Sequence, residues 1–140
     1  MQQGLFDMVL DPNFASNHYY YVFYTLGTPN VDRLSRFTAN ANLTGTVPGS
    51  ELVLYQDPQT ADAEHHGGAV NFGNDGMLYF TTGDHFQGTP SQNLNSPRGK
   101  VHRIFPDGLA PADNPFNDGS GPHWDSVWAY GLRNPYRFAF

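Results

Sequence analysis

Residues 67–82 read GGAVNFGNDGMLYFTT, and this stretch decides the fold class. Two runs rich in aromatic and β-branched residues flank Asn74-Asp75-Gly76, and a flanked Asp-Gly pair is a strong signal for a β-hairpin. We expect this pair to supply the positive φ angles of the turn. The stretch therefore predicts two antiparallel strands, Gly67–Phe72 and Met77–Thr82.

Similar short runs continue on both sides of this hairpin, with turn-rich segments between them and no helical period. The clearest is YYYVFYT at residues 19–25, because aromatic and β-branched residues favour a pleated, half-buried surface. A further unit is predicted to open at Pro135–Phe140. The complete set of predicted strands is Gly4–Leu10, Tyr19–Thr25, Leu34–Thr38, Glu51–Gln56, Gly67–Phe72, Met77–Thr82, Lys100–Phe105 and Ser126–Tyr130.

These strands fall into two similar units. Leu10 precedes a turn at Asp11-Pro12-Asn13 as Phe72 precedes one at Gly73-Asn74-Asp75, and Phe140 stands at the next equivalent place. The resulting repeat of about 62 to 68 residues, with four strands in each, favours a β-propeller. We therefore expect an all-β propeller fragment over residues 1–140, with two four-stranded antiparallel blades and the start of a third, truncated at both ends. A β-sandwich of eight strands is the structural alternative.

The composition excludes several classes of protein. Only 14% of the 140 residues are charged while 15% are aromatic, which argues against a coiled coil, a helical bundle or a disordered chain. A net charge of −6 with a single lysine argues against nucleic-acid binding. No apolar run approaches the roughly 18 residues of a membrane span. The lack of cysteine excludes disulfides, thiolate zinc sites and cysteine nucleophiles.

Functional residues are expected in two long loops, residues 85–99 and 106–125, and at the strand ends beside them. The first candidate string is Glu64-His65-His66-Gly67-Gly68. Consecutive strand residues point to opposite faces, so His65 and His66 are not expected to face one ligand. No second histidine has a familiar zinc-ligand spacing, so no metal site is predicted. The alternative is a surface loop that leads into a strand.

Two further strings are candidates. In Gly131-Leu132-Arg133-Asn134-Pro135, the guanidinium suits a carboxylate or a developing oxyanion, and the proline holds Asn134 in an extended conformation. The alternative is an arginine that caps loop carbonyls. Asp113-Asn114-Pro115-Phe116 is rich in oxygen, but it lacks the regular ligand spacing of a calcium motif. We therefore interpret it as a turn.

Taken in order along the chain, short sequence motifs resemble those of the soluble glucose dehydrogenase and sorbosone dehydrogenase family. The resemblance covers nearly the whole chain. The resemblance implies a six-bladed propeller that uses pyrroloquinoline quinone, in a periplasmic or secreted protein. The residues that carry it are Gln2-Gln3-Gly4-Leu5, Leu10-Asp11-Pro12-Asn13-Phe14, His65-His66-Gly67-Gly68, Phe72-Gly73-Asn74-Asp75-Gly76, Leu78-Tyr79, Gly83-Asp84, Gly99-Lys100-Val101, Arg103-Ile104, Asp107-Gly108, Asp113-Asn114-Pro115-Phe116 and Trp128-Ala129-Tyr130-Gly131-Leu132-Arg133-Asn134-Pro135.

The same resemblance implies roles for individual residues. His65 aligns with the catalytic histidine, and Glu64 with the acidic residue beside it at the substrate. Arg133 and Asn134 align with the pair that holds the quinone, and Gln2 with a pocket glutamine that contacts cofactor and substrate. The calcium ions of the family are expected to have their ligands outside these residues. The isolated chain is therefore expected to be inactive.

The function implied is oxidation of an aldose sugar or related alcohol by hydride transfer to the quinone. An external electron acceptor then reoxidises the quinone. His65, rather than His66, is predicted to be the general base, because an imidazole with a pKa of about 6.5 accepts protons well near neutral pH. Gly67 and Gly68 are expected to leave room for a sugar and a flat cofactor. The alternatives are a non-catalytic module that binds protein or glycan, and a calcium-stabilised structural repeat.

Overall fold

A computed structural model describes residues 4–61, 64–121 and 124–140. Within these ranges the chain forms eight strands, one turn of α-helix (α1, Phe14–Asn17) and a 3₁₀ turn at Thr89–Gln92. Neither helix in this part of the chain has the length or hydropathy to cross a membrane. The strands are β1 (Leu5–Leu10), β2 (Tyr19–Gly27), β3 (Asn30–Thr38), β4 (Leu52–Gln56), β5 (Gly67–Phe72), β6 (Leu78–Thr82), β7 (Lys100–Ile104) and β8 (Val127–Tyr130).

The strands form two antiparallel sheets, each a meander in sequence order: β1-β2-β3-β4 and β5-β6-β7-β8. We call them the first and second blade. They confirm the predicted pair of four-stranded units. Most observed strand ends lie within one residue of the predicted ones. The exceptions are the end of β2 at Gly27 and the start of β3 at Asn30, because Gly27 pairs directly with Asn30 across a two-residue turn.

The predicted turn at Asn74-Asp75-Gly76 is present, with a different backbone conformation. Of these three residues only Gly76 has a positive φ, at 76°. Gly76 N donates to Gly73 O at 3.0 Å, and Gly73 N donates to Met77 O at 2.9 Å. This pattern matches a type I turn followed by a left-handed glycine. The expectation that Asp75 also takes a positive φ is therefore wrong. Its carboxylate instead accepts hydrogen bonds from Met77 N and from the Tyr79 hydroxyl.

Pro135–Phe140, where a further unit is predicted to open, follows the second blade and contacts its first two strands. Thr81 Oγ1 donates to Pro135 O at 2.6 Å, and Asn71 Nδ2 donates to Phe138 O at 3.3 Å. The Phe140 ring packs edge-on against Tyr79. Side chains of β5 and β6 therefore hold this segment against the second blade.

The core lies where the two blades pack against each other. Alternate residues of a strand point to the same face, so Tyr21 and Phe23 of β2 project together toward the second blade. The Phe80 ring centroid lies 6.2 Å from that of Phe23 and 5.0 Å from that of Tyr55. This packing sets the position of one blade against the other. The buried cluster comprises Tyr21, Phe23, Leu34, Tyr55, Val70, Leu78, Phe80 and Ile104.

Candidate active site

Four chain segments meet at one end of the second blade. Neighbouring antiparallel strands run in opposite directions, so the starts of β5 and β7 and the ends of β6 and β8 share one edge. Backbone hydrogen bonds of 2.9 to 3.1 Å join these segments in turn. They run from Gly83 N to His66 O, from Gly99 N to Gly83 O, from Leu132 N to Gly99 O and from Asp84 N to Arg133 O.

Glycines make this close meeting possible. A Cβ on Gly83 would lie 1.6 Å from His65 O, and one on Gly67 would lie 2.8 Å from Gly83 N. A Cβ on Gly68 would lie 2.7 Å from Phe6 Cβ. The space beside Gly67 and Gly68 is thus filled by the protein itself. The expectation that these two glycines leave room for a sugar and a flat cofactor is wrong; they allow backbone and side chain to pack closely.

His65 forms a buried pair with Asp84. His65 Nδ1 lies 2.8 Å from Asp84 Oδ1, and the side chains are 8% and 6% exposed. Because a carboxylate can only accept, Nδ1 carries a proton, and in the neutral ring Nε2 is the nitrogen with the lone pair. Phe86 N donates to the same carboxylate oxygen at 2.9 Å. Asp84 therefore sets the tautomer and orientation of the His65 ring.

His66 points away from this pair, as predicted, although strand alternation is not the cause. His65 lies before β5 with a left-handed φ of 59°, so the backbone turns between the two histidines. His66 is buried, and its Nδ1 lies 2.9 Å from Asp32 Oδ2 of the first blade.

The acidic partner of His65 was not identified from the sequence. Glu64 is exposed and is not among the described residues that line the cavity beside His65. The available signal was the Gly83-Asp84 string, which directly follows β6 beside the start of β5. Gln2, the other predicted pocket residue, lies outside the described residues.

His65 and Arg133 line one cavity of about 380 Å³. The ring of Phe86 separates them: its centroid is 4.9 Å from that of His65 and 5.7 Å from the guanidinium carbon of Arg133. Phe86 is 67% exposed, and Arg133 is also exposed. The cavity therefore combines an imidazole, an aromatic surface and an accessible cation. Its lining residues are His65, Asp84, Phe86, Gln87, Gly88, Ser91, Gly131 and Arg133.

Asn134 lies beside the cavity, with a different role from Arg133. Its Oδ1 accepts a hydrogen bond from Gly67 N at 3.0 Å. It is half-buried and is not among the described residues that line the cavity. Asn134 therefore fixes the backbone that carries His65, while Arg133 presents its charge to the cavity.

The loop that forms one wall of the cavity, residues 83–99, is anchored by side chains of β7. Lys100 is buried, and its Nζ donates to Pro90 O, Ser91 O and Arg98 O at 2.6 to 3.0 Å. Burial lowers the pKa of Lys100 to about 8. The next buried side chain of β7, His102, donates from Nε2 to Pro97 O at 2.9 Å. The cavity wall is therefore held in place before any ligand binds.

The Asp113-Asn114-Pro115-Phe116 string lies outside this cavity. Asn114 Nδ2 donates to Arg103 O and Asp125 O, both at 2.9 Å. Asp113 Oδ1 accepts from Arg103 Nη1 at 2.7 Å, and this guanidinium lowers the pKa of the Asp113 carboxyl. Protein groups thus occupy these oxygens, in agreement with the interpretation as a turn.

Comparisons with known proteins place the chain in a family. The family model described as Glucose / Sorbosone dehydrogenase matches residues 1–140. The chain is 32% identical to "Aldose sugar dehydrogenase YliI" of Escherichia coli, over 99% of this chain and 38% of that protein. It is 30% identical to "Quinoprotein glucose dehydrogenase B" of Acinetobacter calcoaceticus, over 99% of this chain and 34% of that protein.

Solved structures agree with this assignment. The PQQ-bound form of aldose sugar dehydrogenase from Streptomyces coelicolor superposes with a TM-score of 0.80 at 31% identity, over 95% of this chain and 37% of that one. A structure titled glucose dehydrogenase matches with a TM-score of 0.85 at 23% identity, which supports the β-propeller fold. The chain spans under two-fifths of the length of these curated relatives. It belongs to the glucose/sorbosone dehydrogenase family and forms two blades of its propeller.

Proposed function

We propose that the full-length protein carrying this chain oxidises an aldose sugar or a related alcohol, with pyrroloquinoline quinone (PQQ) as cofactor. The observation that carries the proposal is the His65–Asp84 pair, which shares one cavity with the exposed guanidinium of Arg133. Two relatives support it, since one is a quinoprotein glucose dehydrogenase and the other a PQQ-bound aldose sugar dehydrogenase.

The cavity fits part of such a cofactor. PQQ is a flat quinone with several carboxylates, and Arg133 offers the planar fork of donors that binds a carboxylate or a quinone oxygen. Gly88 and Gly131 line the cavity without side chains, which suits a flat ring. When bound, PQQ supplies the two-electron acceptor for a hydride. Arg133 would hold and orient it, with Asn134 fixing the adjacent backbone.

His65 would remove the hydroxyl proton of the substrate. An alcohol carbon releases hydride readily only when its O–H proton leaves as the carbonyl forms. The Asp84 carboxylate keeps the Nδ1 proton of His65 in place, so Nε2 is the nitrogen that accepts the substrate proton. The same carboxylate then stabilises the imidazolium. The alcohol thus loses its hydroxyl proton to His65 and its hydride to the acceptor, which leaves a carbonyl product.

Three further parts of the proposal rest on the family resemblance. Calcium would bind at the cofactor through ligands outside these residues. An external acceptor would reoxidise the cofactor. The protein would be periplasmic or secreted.

The test is quinone-dependent dye reduction by the full-length protein with PQQ, calcium and a panel of aldoses and polyols. His65→Ala should lower kcat about 10²- to 10⁴-fold, the usual contribution of a positioned general base, while still binding PQQ. His18→Ala, at a half-buried histidine of the first blade, is the matched control and should keep the wild-type rate. A silent His65→Ala would refute the mechanism.

A second arm uses Arg133→Lys, which should lower turnover because an ammonium cannot reproduce the planar fork. Normal rate and quinone affinity in that variant would remove Arg133 from the site. If the wild-type protein reduces no dye with any aldose or polyol, a module that binds protein or glycan becomes the better account.

A further inference from the structure

A second group of titratable side chains is buried beside the cavity without lining it. His66 Nδ1 lies 2.9 Å from Asp32 Oδ2, and His85 Nε2 lies 3.1 Å from the same oxygen. The three possible ligand atoms lie within 4.8 Å of one another, and each residue is only 1% exposed. We call Asp32, His66 and His85 the interblade cluster, because Asp32 belongs to the first blade and both histidines belong to the second.

The carboxylates in and beside this cluster outnumber the side chains that carry a fixed positive charge. Asp57 Oδ2 lies 3.6 Å from His85 Nε2 and accepts a hydrogen bond from Arg98 Nε at 2.8 Å. Two carboxylates thus face one guanidinium in a buried region. An excess buried negative charge is costly unless a cation offsets it.

The donor set and its spacing suit a divalent transition-metal ion. Zinc binds imidazole nitrogen and carboxylate oxygen at about 2.0 to 2.2 Å, which places neighbouring ligand atoms of a tetrahedral ion about 3.4 Å apart. The two N···O distances onto Asp32 Oδ2 are 2.9 and 3.1 Å, so a small outward shift of the two rings would admit the ion. Two imidazoles and one carboxylate do not suit calcium, which takes six to eight oxygen ligands.

The backbone and the His66 ring give independent support. His85 and Phe86 have φ angles of 51° and 64°, and consecutive left-handed residues other than glycine are unfavourable. This conformation brings the His85 ring against Asp32. His66 Nε2 is buried and has no hydrogen-bond partner among the described residues. Among the described residues, the hydrogen bonds of the His66 ring are therefore those of Nδ1 with the Asp32 carboxylate.

We propose that the interblade cluster binds one structural divalent transition-metal ion, zinc in the first instance, and so clamps the two blades together. Because all three ligands are buried, the ion would enter during folding. The sequence predicts no metal site here, since the spacing from His66 to His85 matches no familiar zinc motif. Their proximity arises only when β5 and β6 pair. This proposal is independent of the sugar-oxidising activity.

The first test measures metal content in the full-length protein, produced in zinc-supplemented medium and dialysed against a mild chelator. We expect one zinc per chain in the wild type and at least a tenfold lower content in Asp32→Asn and His85→Gln. The matched control is His18→Gln, which alters a half-buried histidine of the first blade outside the cluster and should keep the ion. Equal zinc in the wild type and both cluster variants would overturn the proposal.

The second test uses the wild type alone, so it stands even if the variants fail to fold. The full-length protein is refolded with zinc, with cobalt, with calcium or with a chelator. Zinc should raise the Tm by several degrees over calcium or chelator, because an ion that binds only the folded state stabilises it. Cobalt should give a visible absorption band typical of nitrogen and oxygen ligands. A zinc-free folded protein whose Tm does not respond to zinc would overturn the proposal.

Discussion

The two blades share one strand order, and their connections differ most in length between the second and third strands. In the first blade, β2 ends at Gly27 and β3 begins at Asn30, so only residues 28 and 29 lie between them. At the same place in the second blade, residues 83–99 separate β6 from β7, and they carry Asp84, Phe86 and Ser91 of the cavity wall. The longer connection therefore supplies much of the cavity wall, in keeping with the general placement of function on loops.

The residues that begin the two third strands also differ in their bonds. Asn30, the first residue of β3, donates from Nδ2 to Ala61 O, beyond β4, at 2.9 Å. Lys100, the first residue of β7, donates to three carbonyls. A longer loop needs more fixed donors, and the ammonium of a buried lysine supplies three from one position.

The largest expected difference between the blades is the effect on stability of replacing Gly27, which ends β2, or Gly83, which follows β6. Gly83→Ala should destabilise the full-length protein by about 4 kcal/mol or more, because its Cβ would overlap the carbonyl oxygen of His65. Gly27→Ala should change stability by at most about 1 kcal/mol, because nothing lies within 4 Å of a Cβ there. Denaturant unfolding of both variants measures the effect. Equal stability of the two variants would show that Gly83 does not pack against the carbonyl of His65.

A smaller effect is expected from pH, through the buried imidazole of the second blade. Burial lowers the pKa of His102 to about 3, with a further contribution from Lys100 and a hydrogen bond to Pro97 O that opposes it. In the unfolded chain His102 therefore binds a proton at the ordinary histidine pKa of about 6.5, whereas in the folded chain it stays unprotonated at that pH. The free energy of unfolding should fall by about 1.4 kcal/mol per pH unit as pH drops below 6.5.

Unfolding measured from pH 7 to pH 4 in wild type and His102→Gln checks this prediction. The slope of the variant should be lower than that of the wild type by about one proton. Identical slopes in wild type and His102→Gln would mean that His102 is protonated in the folded protein.

The smallest expected effect concerns the anchored loop itself. Lys100→Met removes the donors from three loop carbonyls, so residues 83–99 should exchange amide hydrogens faster and kcat/KM should fall about tenfold, equal to roughly 1.4 kcal/mol. Asn30→Leu, which removes one donor from the first blade, should leave kcat/KM unchanged. A Lys100→Met protein with wild-type exchange in the loop would show that the backbone holds the loop alone.

The strand order was predictable because its signals are local. A flanked Asp-Gly turn and a run such as YYYVFYT are visible within a few residues, and the repeat follows from comparing them. The approach of Arg133 to His65 was expected only from the family resemblance. No local pattern reports that Asp84 binds His65, that His85 meets His66, or that Gly67 packs on Gly83. Each of these contacts joins different strand ends and exists only once the sheet has formed.

The exposure of the loop has a consequence for directed evolution of substrate range. Residues 86–89 at its tip are exposed, while residues 82–85 and 98–100 at its two ends are buried. A side chain on Gly99 would lie 2.5 Å from Leu132 O, so the ends tolerate little change. A library that randomises Phe86 and Gln87 would therefore alter the surface of the cavity while leaving the buried ends of the loop intact. Under the proposed function, such a library is the direct way to change which alcohols are oxidised.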